Sequence, residues 1–190
     1  MTDTIETPAK SRFSIGWIGE SVIIFAVGVL IALLVREFAV QSYEIPSPSM
    51  VPTLEIGDRV LVNKRSYGEG EVPERGDVAV FQRPDVANCP FDEGDPPVLI
   101  KRVIGLPGEE VSGNDGRIYI NGELLDEPWF TDPIESKAFP PINVGEGQVV
   151  FLGDNRINSK DSTCFGSVNI DTIVGRAFSR IWPLNRIGGL

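Results

Sequence analysis

Two serines and a lysine raise the first chemical question of this 190-residue chain. Ser47 and Ser49 lie in the strip IPSPSMVPTL, which runs from Ile45 to Leu54, and Lys101 lies in PPVLIKRVIGL. A serine hydroxyl becomes a nucleophile when a neighbouring base takes its proton. The chain has no histidine, which excludes Ser-His-Asp and Cys-His catalysis and every histidine-ligated metal site. Its two cysteines, Cys89 and Cys164, cannot make a four-cysteine metal site. No motif asks for a metal or a cofactor, so neither is expected. A hydrolase built on these residues must find its base in an amine.

Lysine normally titrates near 10.4 and is charged at neutral pH; full burial lowers that by roughly 3–5 units. Lys10 lies in the N-terminal stretch, Lys137 and Lys160 in polar loops, and Lys64 beside Arg65 and Ser66. Lys101 differs. Strand alternation puts Leu99, Lys101 and Val103 on one face and Ile100, Arg102 and Ile104 on the other. Lys101 therefore projects among apolar neighbours; the bland alternative is a lysine snorkelling from an edge strand. Pro46, Pro48 and Pro52 fix φ and donate no N–H, which predicts an extended strip, neither helix nor central strand. In such a strip Ser47 and Ser49 face the same side, one able to attack a carbonyl and the other to donate to the oxyanion. A Pro/Ser linker is the competing interpretation. A third segment, GDNRINSKDS from Gly153 to Ser162, offers hydroxyls and carboxylates that could orient a buried ammonium, or is a plain polar turn.

The elements that position these groups come in two kinds. Ile15 to Val35 is uncharged apart from Glu20 and would make roughly 31 Å of helix, close to a bilayer core of about 30 Å, with Trp17 at one interface. A buried core helix and a cleaved secretory signal are the alternatives. The charged Arg36-Glu37 pair that follows does not suit a cleavage region, and the lack of a polar face does not suit a core helix of a soluble protein. Lys10 and Arg12 before the segment, against Arg36 alone close behind it, place the N-terminus in the cytoplasm. The expected organisation is a cytoplasmic tail over 1–14, a transmembrane helix over 15–37 and an extracytoplasmic catalytic β domain over 38–190.

Beyond Leu54 the chain reads as strands: DRVLVNKRSY, GDVAVFQRP, VLIKRVIGL, GRIYINGELL, GQVVFLGD and IVGRAFSRIW are rich in β-branched or aromatic residues. Asn121-Gly122 is a two-residue hairpin signal. RPDVANCPFDEGDPP and DEPWFTDPIESKAFPP read as loops, and nothing after residue 40 has a helical period over three turns. The expected fold class is mainly β, a compact antiparallel sheet domain with one N-terminal transmembrane helix. The net charge of −10 argues against nucleic acid as a partner and against a basic patch on anionic lipid.

Taken together, the anchor, IPSPSMVPTL, GDRVLVNKRSYG, RGDVAVF, KRVIGLPGE and GDNRINSKDS resemble, in order, the bacterial type I signal peptidases, membrane-anchored Ser-Lys proteases. The resemblance implies a serine endopeptidase of the cell membrane that removes signal peptides from exported preproteins after small residues at −1 and −3, through an acyl-enzyme. Its partners would be those signal peptides and the lipid bilayer. Ser49 matches the nucleophile, Lys101 the general base, Ser47 the oxyanion donor beside the Ser49 N–H, and Ser159 the serine that hydrogen-bonds the lysine. Asp154 and Asp161 match structural carboxylates. Ile45, Pro46, Met50, Leu54, Leu99 and Ile100 resemble the lining of the substrate pockets. The substrate strand would pair with the strip before Ser49 and with the Lys101 strand.

The chain departs from the family at two places. Pro48 stands where glycine is usual. Asp161 is followed by Ser162 and Thr163, so the usual Asp-Arg bridge two positions on cannot form, which leaves Arg156 or Arg102 as replacements. If both cysteines lie outside the cytoplasm, a Cys89–Cys164 disulfide would tie the lysine strand to the serine loop; two free thiols are the alternative. Two rival functions stay open. A self-cleaving repressor-type Ser-Lys protease would need an internal scissile site, and a non-catalytic tethered β domain would leave Lys101 exposed.

Overall fold

The computed structural model describes residues 15–68 and 71–190, without the side chains of 15–18 and 34–38. The tail expected over 1–14 and the Trp17 side chain lie outside the described residues. The chain divides into two compact units, one ending at Phe38 and one running from Ala39 to Leu190.

The first unit holds helix α1 (Ile15–Ala39). Its sequence contains no proline and no polar stripe, so nothing interrupts the helix and no face is set apart for water. Every described side chain from Gly19 to Leu33 is exposed. Among the described residues, no helix is long and apolar enough to cross a membrane.

The second unit is built of short strands. Its first half contains β1 (Val40–Glu44), β2 (Arg59–Asn63), β3 (Val78–Gln82), β4 (Val98–Gly105), β5 (Glu110–Asn114) and β6 (Arg117–Ile120). β7 (Glu123–Leu124), β8 (Phe139–Asn143) and β9 (Gln148–Leu152) follow, then helix α2 (Ser162–Phe165), β10 (Val168–Asn169), β11 (Ile173–Trp182) and β12 (Gly188–Gly189). The larger sheet has the order β1-β2-β11-β3-β4-β9-β10, with β12 paired to β11. The smaller has the order β7-β6-β5-β8. Every pairing is antiparallel, as the strand pattern leads one to expect.

The central strands are apolar on both faces because both faces are covered. Along β3, Val78 and Val80 join one core with Ile45, Met50 and Leu54, while Ala79 and Phe81 join another with Val103, Phe151 and Phe165. Phe81 and Phe151 stack at 4.1 Å within the second core. A third core, around Ile104, Val111, Ile118 and Leu152, joins the smaller sheet to β4 and β9.

The hairpin at Asn121-Gly122 forms between β6 and β7 with positive φ at both residues, 52° and 80°. β8 corrects the expectation of an uninterrupted loop over DEPWFTDPIESKAFPP. Its prolines are tolerated because it is an edge strand that pairs with β5 alone. β5 itself escapes propensity because it reads EVSGN. Gly113 is required there, since a Cβ would come within 2.5 Å of the Phe139 ring.

Cys89 and Cys164 form a disulfide with their Cα atoms 5.5 Å apart and 75 residues between them in sequence. In the chain-entropy picture, closing a loop of that length stabilises the fold by roughly 4 kcal/mol. The bridge holds the 83–97 loop against α2, beside the segment that follows Gly153.

Candidate active site

Ser49 does not sit on a fully extended strip. Ser47 is extended (φ −135°, ψ 157°), but Pro48–Met50 closes a single 3₁₀ turn. Proline accounts for the departure, since a φ near −65° suits the first position of a helical turn and its missing N–H is not needed there. The turn still sets the two hydroxyls together, with Ser47 Oγ 3.3 Å from Ser49 Oγ. From Asn155, the backbone N–H donates to the Ser49 C=O at 3.0 Å and the side-chain Nδ2 to the Pro48 C=O at 3.2 Å.

Lys101 enters from β4, where it lies opposite Ala79 of β3. Its Nζ donates to Ser49 Oγ at 2.7 Å and to the Ile100 C=O at 2.9 Å. The lysine is 3 % exposed and the serine 8 %. Burial lowers the Lys101 pKa to about 8, while Asp161 and Asp154 pull it upward without making an ion pair with it. An amine so placed is neutral in a substantial fraction of molecules just above neutral pH, and it stands within proton-transfer distance of an alcohol. This burial also removes the tethered non-catalytic reading, which requires an exposed lysine.

Ser159 needs correction. Its Oγ is buried, but it makes no hydrogen bond, so the expected bond to Lys101 is absent. The hydroxyl lies against Gly153, where a Cβ would come within 2.2 Å of Ser159 Oγ and 2.5 Å of the Ser49 C=O. Lys101 takes its partners from Ser49 and Ile100 instead.

The two aspartates are held differently from each other. Asp154 accepts from Arg102 Nε at 2.8 Å and Nη2 at 2.6 Å, and from Thr53 Oγ1 at 2.5 Å. Asp161 caps α2, accepting from Thr163 N at 3.1 Å, Thr163 Oγ1 at 2.7 Å and Gly153 N at 3.0 Å. Neither arginine replaces the missing Asp-Arg bridge: Arg102 belongs to Asp154, and Arg156 pairs with Glu127 and donates to the Gly153 C=O. Hydroxyl and amide donors do that work, which is why Thr163 can stand where an arginine is usual.

A cleft of about 310 Å³ opens on this centre, walled by Ser47, Leu99, Phe91, Asp95 and Lys160. A larger cavity of about 750 Å³, around Trp129 and Arg180, contains neither Ser49 nor Lys101. Among the described residues no group of His, Cys, Asp or Glu is placed to hold a metal ion.

The family model for signal peptidases, peptidase S26, matches residues 18–182. The chain belongs to the signal peptidase family. It is 42% identical over 161 residues to the probable signal peptidase I-2 of Synechocystis, covering 84% of this chain and 71% of that protein. Against the signal peptidase I of Leptolyngbya laminosa it is 42% identical over 174 residues, covering 90% and 83%. Against signal peptidase IB of Staphylococcus aureus it is 37% identical over 183 residues, covering 87% and 90%. Family and relatives together make this chain a peptidase of the signal peptidase I kind.

Of the six residues expected to line the pockets of a signal peptidase, only Leu99 borders the cleft. Ile45, Met50 and Leu54 are closed from solvent within the first core, and Ile100 packs against them. Pro46 is exposed on the strip. The reason is strand alternation: Leu99 shares a face with Lys101, and Ile100 faces the other way. Phe91, Asp95 and Lys160 were not foreseen. Phe91 and Asp95 come from the 83–97 loop and Lys160 from the segment after Gly153, which only the disulfide and tertiary contacts bring together alongside Ser49.

Proposed function

We propose that this signal peptidase works through a Ser49–Lys101 dyad and cleaves preproteins after small residues at −1 and −3. The observation that carries the reading is the 2.7 Å contact between Lys101 Nζ and Ser49 Oγ in a buried setting without a paired carboxylate. Neutral Lys101 takes the hydroxyl proton as Ser49 Oγ attacks the carbonyl carbon at the end of the signal peptide. The resulting oxyanion is met by the Ser49 N–H and the Ser47 hydroxyl. Lys101 returns the proton to the departing amine of the mature protein, leaving an ester on Ser49. Water, deprotonated by the same lysine, attacks that ester and frees the signal peptide with a carboxyl terminus.

α1 serves as a single membrane anchor over 15–37, with residues 1–14 in the cytoplasm and the catalytic unit from residue 38 onward outside. A helix with no polar face needs an apolar surrounding on every side, which a bilayer supplies. The partners are signal peptides and the bilayer, with no nucleic acid and no metal. The test incubates detergent-solubilised protein with a preprotein bearing an Ala-X-Ala site, beside Ser49→Ala and Lys101→Ala. Cleavage by the parent alone supports the dyad; equal cleavage by either variant ends it.

A further inference from the structure

The peptide group joining Pro48 to Ser49 is held at its oxygen. The Pro48 C=O accepts from Asn155 Nδ2 at 3.2 Å and from Val51 N–H at 3.1 Å. The next carbonyl, that of Ser49, accepts from the Asn155 backbone N–H at 3.0 Å. Asn155 thus grips two consecutive carbonyls of the serine turn from a position more than a hundred residues away (sequence separation 107).

The opposite end of the Pro48–Ser49 peptide is the Ser49 N–H, the donor that the mechanism above turns toward the oxyanion. A peptide group is planar, so fixing the direction of its C=O fixes the direction of its N–H. The φ of Pro48 is already locked by its ring, which leaves the tilt of this plane as the main remaining freedom. An amide whose oxygen accepts hydrogen bonds is also polarised and becomes a stronger donor at nitrogen. Oxyanion stabilisation depends on donors already aimed at the developing charge, so a loosely held plane would lose part of it.

We propose that Asn155 is a positioning residue of this peptidase. Its side-chain amide orients and polarises the Pro48–Ser49 peptide so that the Ser49 N–H meets the oxyanion. This role presupposes the Ser49–Lys101 chemistry above. The Asn155 side-chain oxygen meanwhile accepts from Asn158 N–H at 3.3 Å, so Asn155→Asp keeps the size and that acceptor while facing Pro48 with an oxygen instead of a donor.

The test compares Asn155→Asp, Asn155→Ala and Ser49→Ala with the parent on one preprotein, with unfolding curves for each. A peptide aldehyde that adds to Ser49 probes the oxyanion site, and an uncleavable substrate-like peptide probes ground-state binding. In whichever Asn155 variants fold, kcat is expected to fall about tenfold with KM nearly unchanged, the size of effect one oriented hydrogen bond supplies. Aldehyde affinity should fall by the same factor, peptide affinity should hold, and in Asn155→Ala, which adds no charge, the pH midpoint should stay where Lys101 sets it. Parent-like kcat in these variants, an unchanged aldehyde affinity or a pH midpoint moved in Asn155→Ala overturns the role of Asn155 while Ser49→Ala stays inactive. Cleavage by Ser49→Ala instead brings down the dyad on which that role is built.

Discussion

The two faces of β4 carry neighbouring cations with opposite fates. Lys101, on one face, is buried among apolar groups and has a serine hydroxyl and a carbonyl as partners. Arg102, on the other, is equally buried but is held through Nε and Nη2 by both oxygens of Asp154. It lies over Trp129 and Phe130 at 5.3 and 5.6 Å and donates to the Gly76 C=O at 2.8 Å. A buried charge with a full set of partners is structural; a buried amine without a counter-charge is driven toward its neutral form and becomes a base. One strand supplies both because alternation separates adjacent side chains onto opposite faces.

The largest break in this comparison comes from Lys101→Arg. A guanidinium keeps its charge throughout the accessible pH range, so cleavage is expected to fall by at least about a thousandfold even at alkaline pH, measured on a preprotein. On the other face, Asp154→Ala leaves Arg102 buried without its anion. Denaturant unfolding should show a loss of roughly 3–5 kcal/mol, much of which a concurrent Arg102→Met would recover.

The pH dependence sharpens the contrast with opposite signs for rate and stability cost. The Lys101 pKa in the folded chain, about 8, lies below its ordinary 10.5. Burying the ammonium therefore destabilises the fold below about pH 8, and the penalty fades as pH rises toward 10.5. Lys101→Met should raise stability by up to about 3 kcal/mol at pH 7 and flatten its pH dependence across that window. The cleavage rate of the parent should climb through about pH 8; a rate independent of pH from 6 to 10 would contradict a lysine base. The smallest effect belongs to an ion pair with neither face buried. Arg59 and Glu44, 57% and 61% exposed, should lose less than about 1 kcal/mol on Glu44→Gln, read by thermal unfolding.

Much of the centre could be read before any fold was known. The apolar setting of Lys101 follows from alternation along VLIKRVIG and the shared side of Ser47 and Ser49 from the proline strip, while the choice of Ser49 over Ser47 rests on the resemblance of IPSPSMVPTL to the family motif. The pocket residues were less legible. The motif marks Ile45, Met50, Leu54 and Ile100, but being near Ser49 in sequence put them in the core beneath it, whereas Phe91, Asp95 and Lys160 reached the cleft from distant loops. Strands β5 and β8 escaped detection because glycine and proline mask strand propensity, and only pairing at the edge of the small sheet makes them strands.

By itself, then, the order of residues determined the antiparallel β character, the apolar helix and which side chains are candidates for the reacting groups, because periodicity and residue chemistry act locally. Tertiary structure decided which partners each charged group received. It gave Arg102 rather than Lys101 the carboxylate of Asp154, handed Asp161 to Thr163 and the Gly153 N–H, left Ser159 without a bond, and brought Asn155 onto the serine turn. Those choices depend on distances between segments far apart in the chain, and a hydrogen bond exists only where the fold closes that distance to about 3 Å.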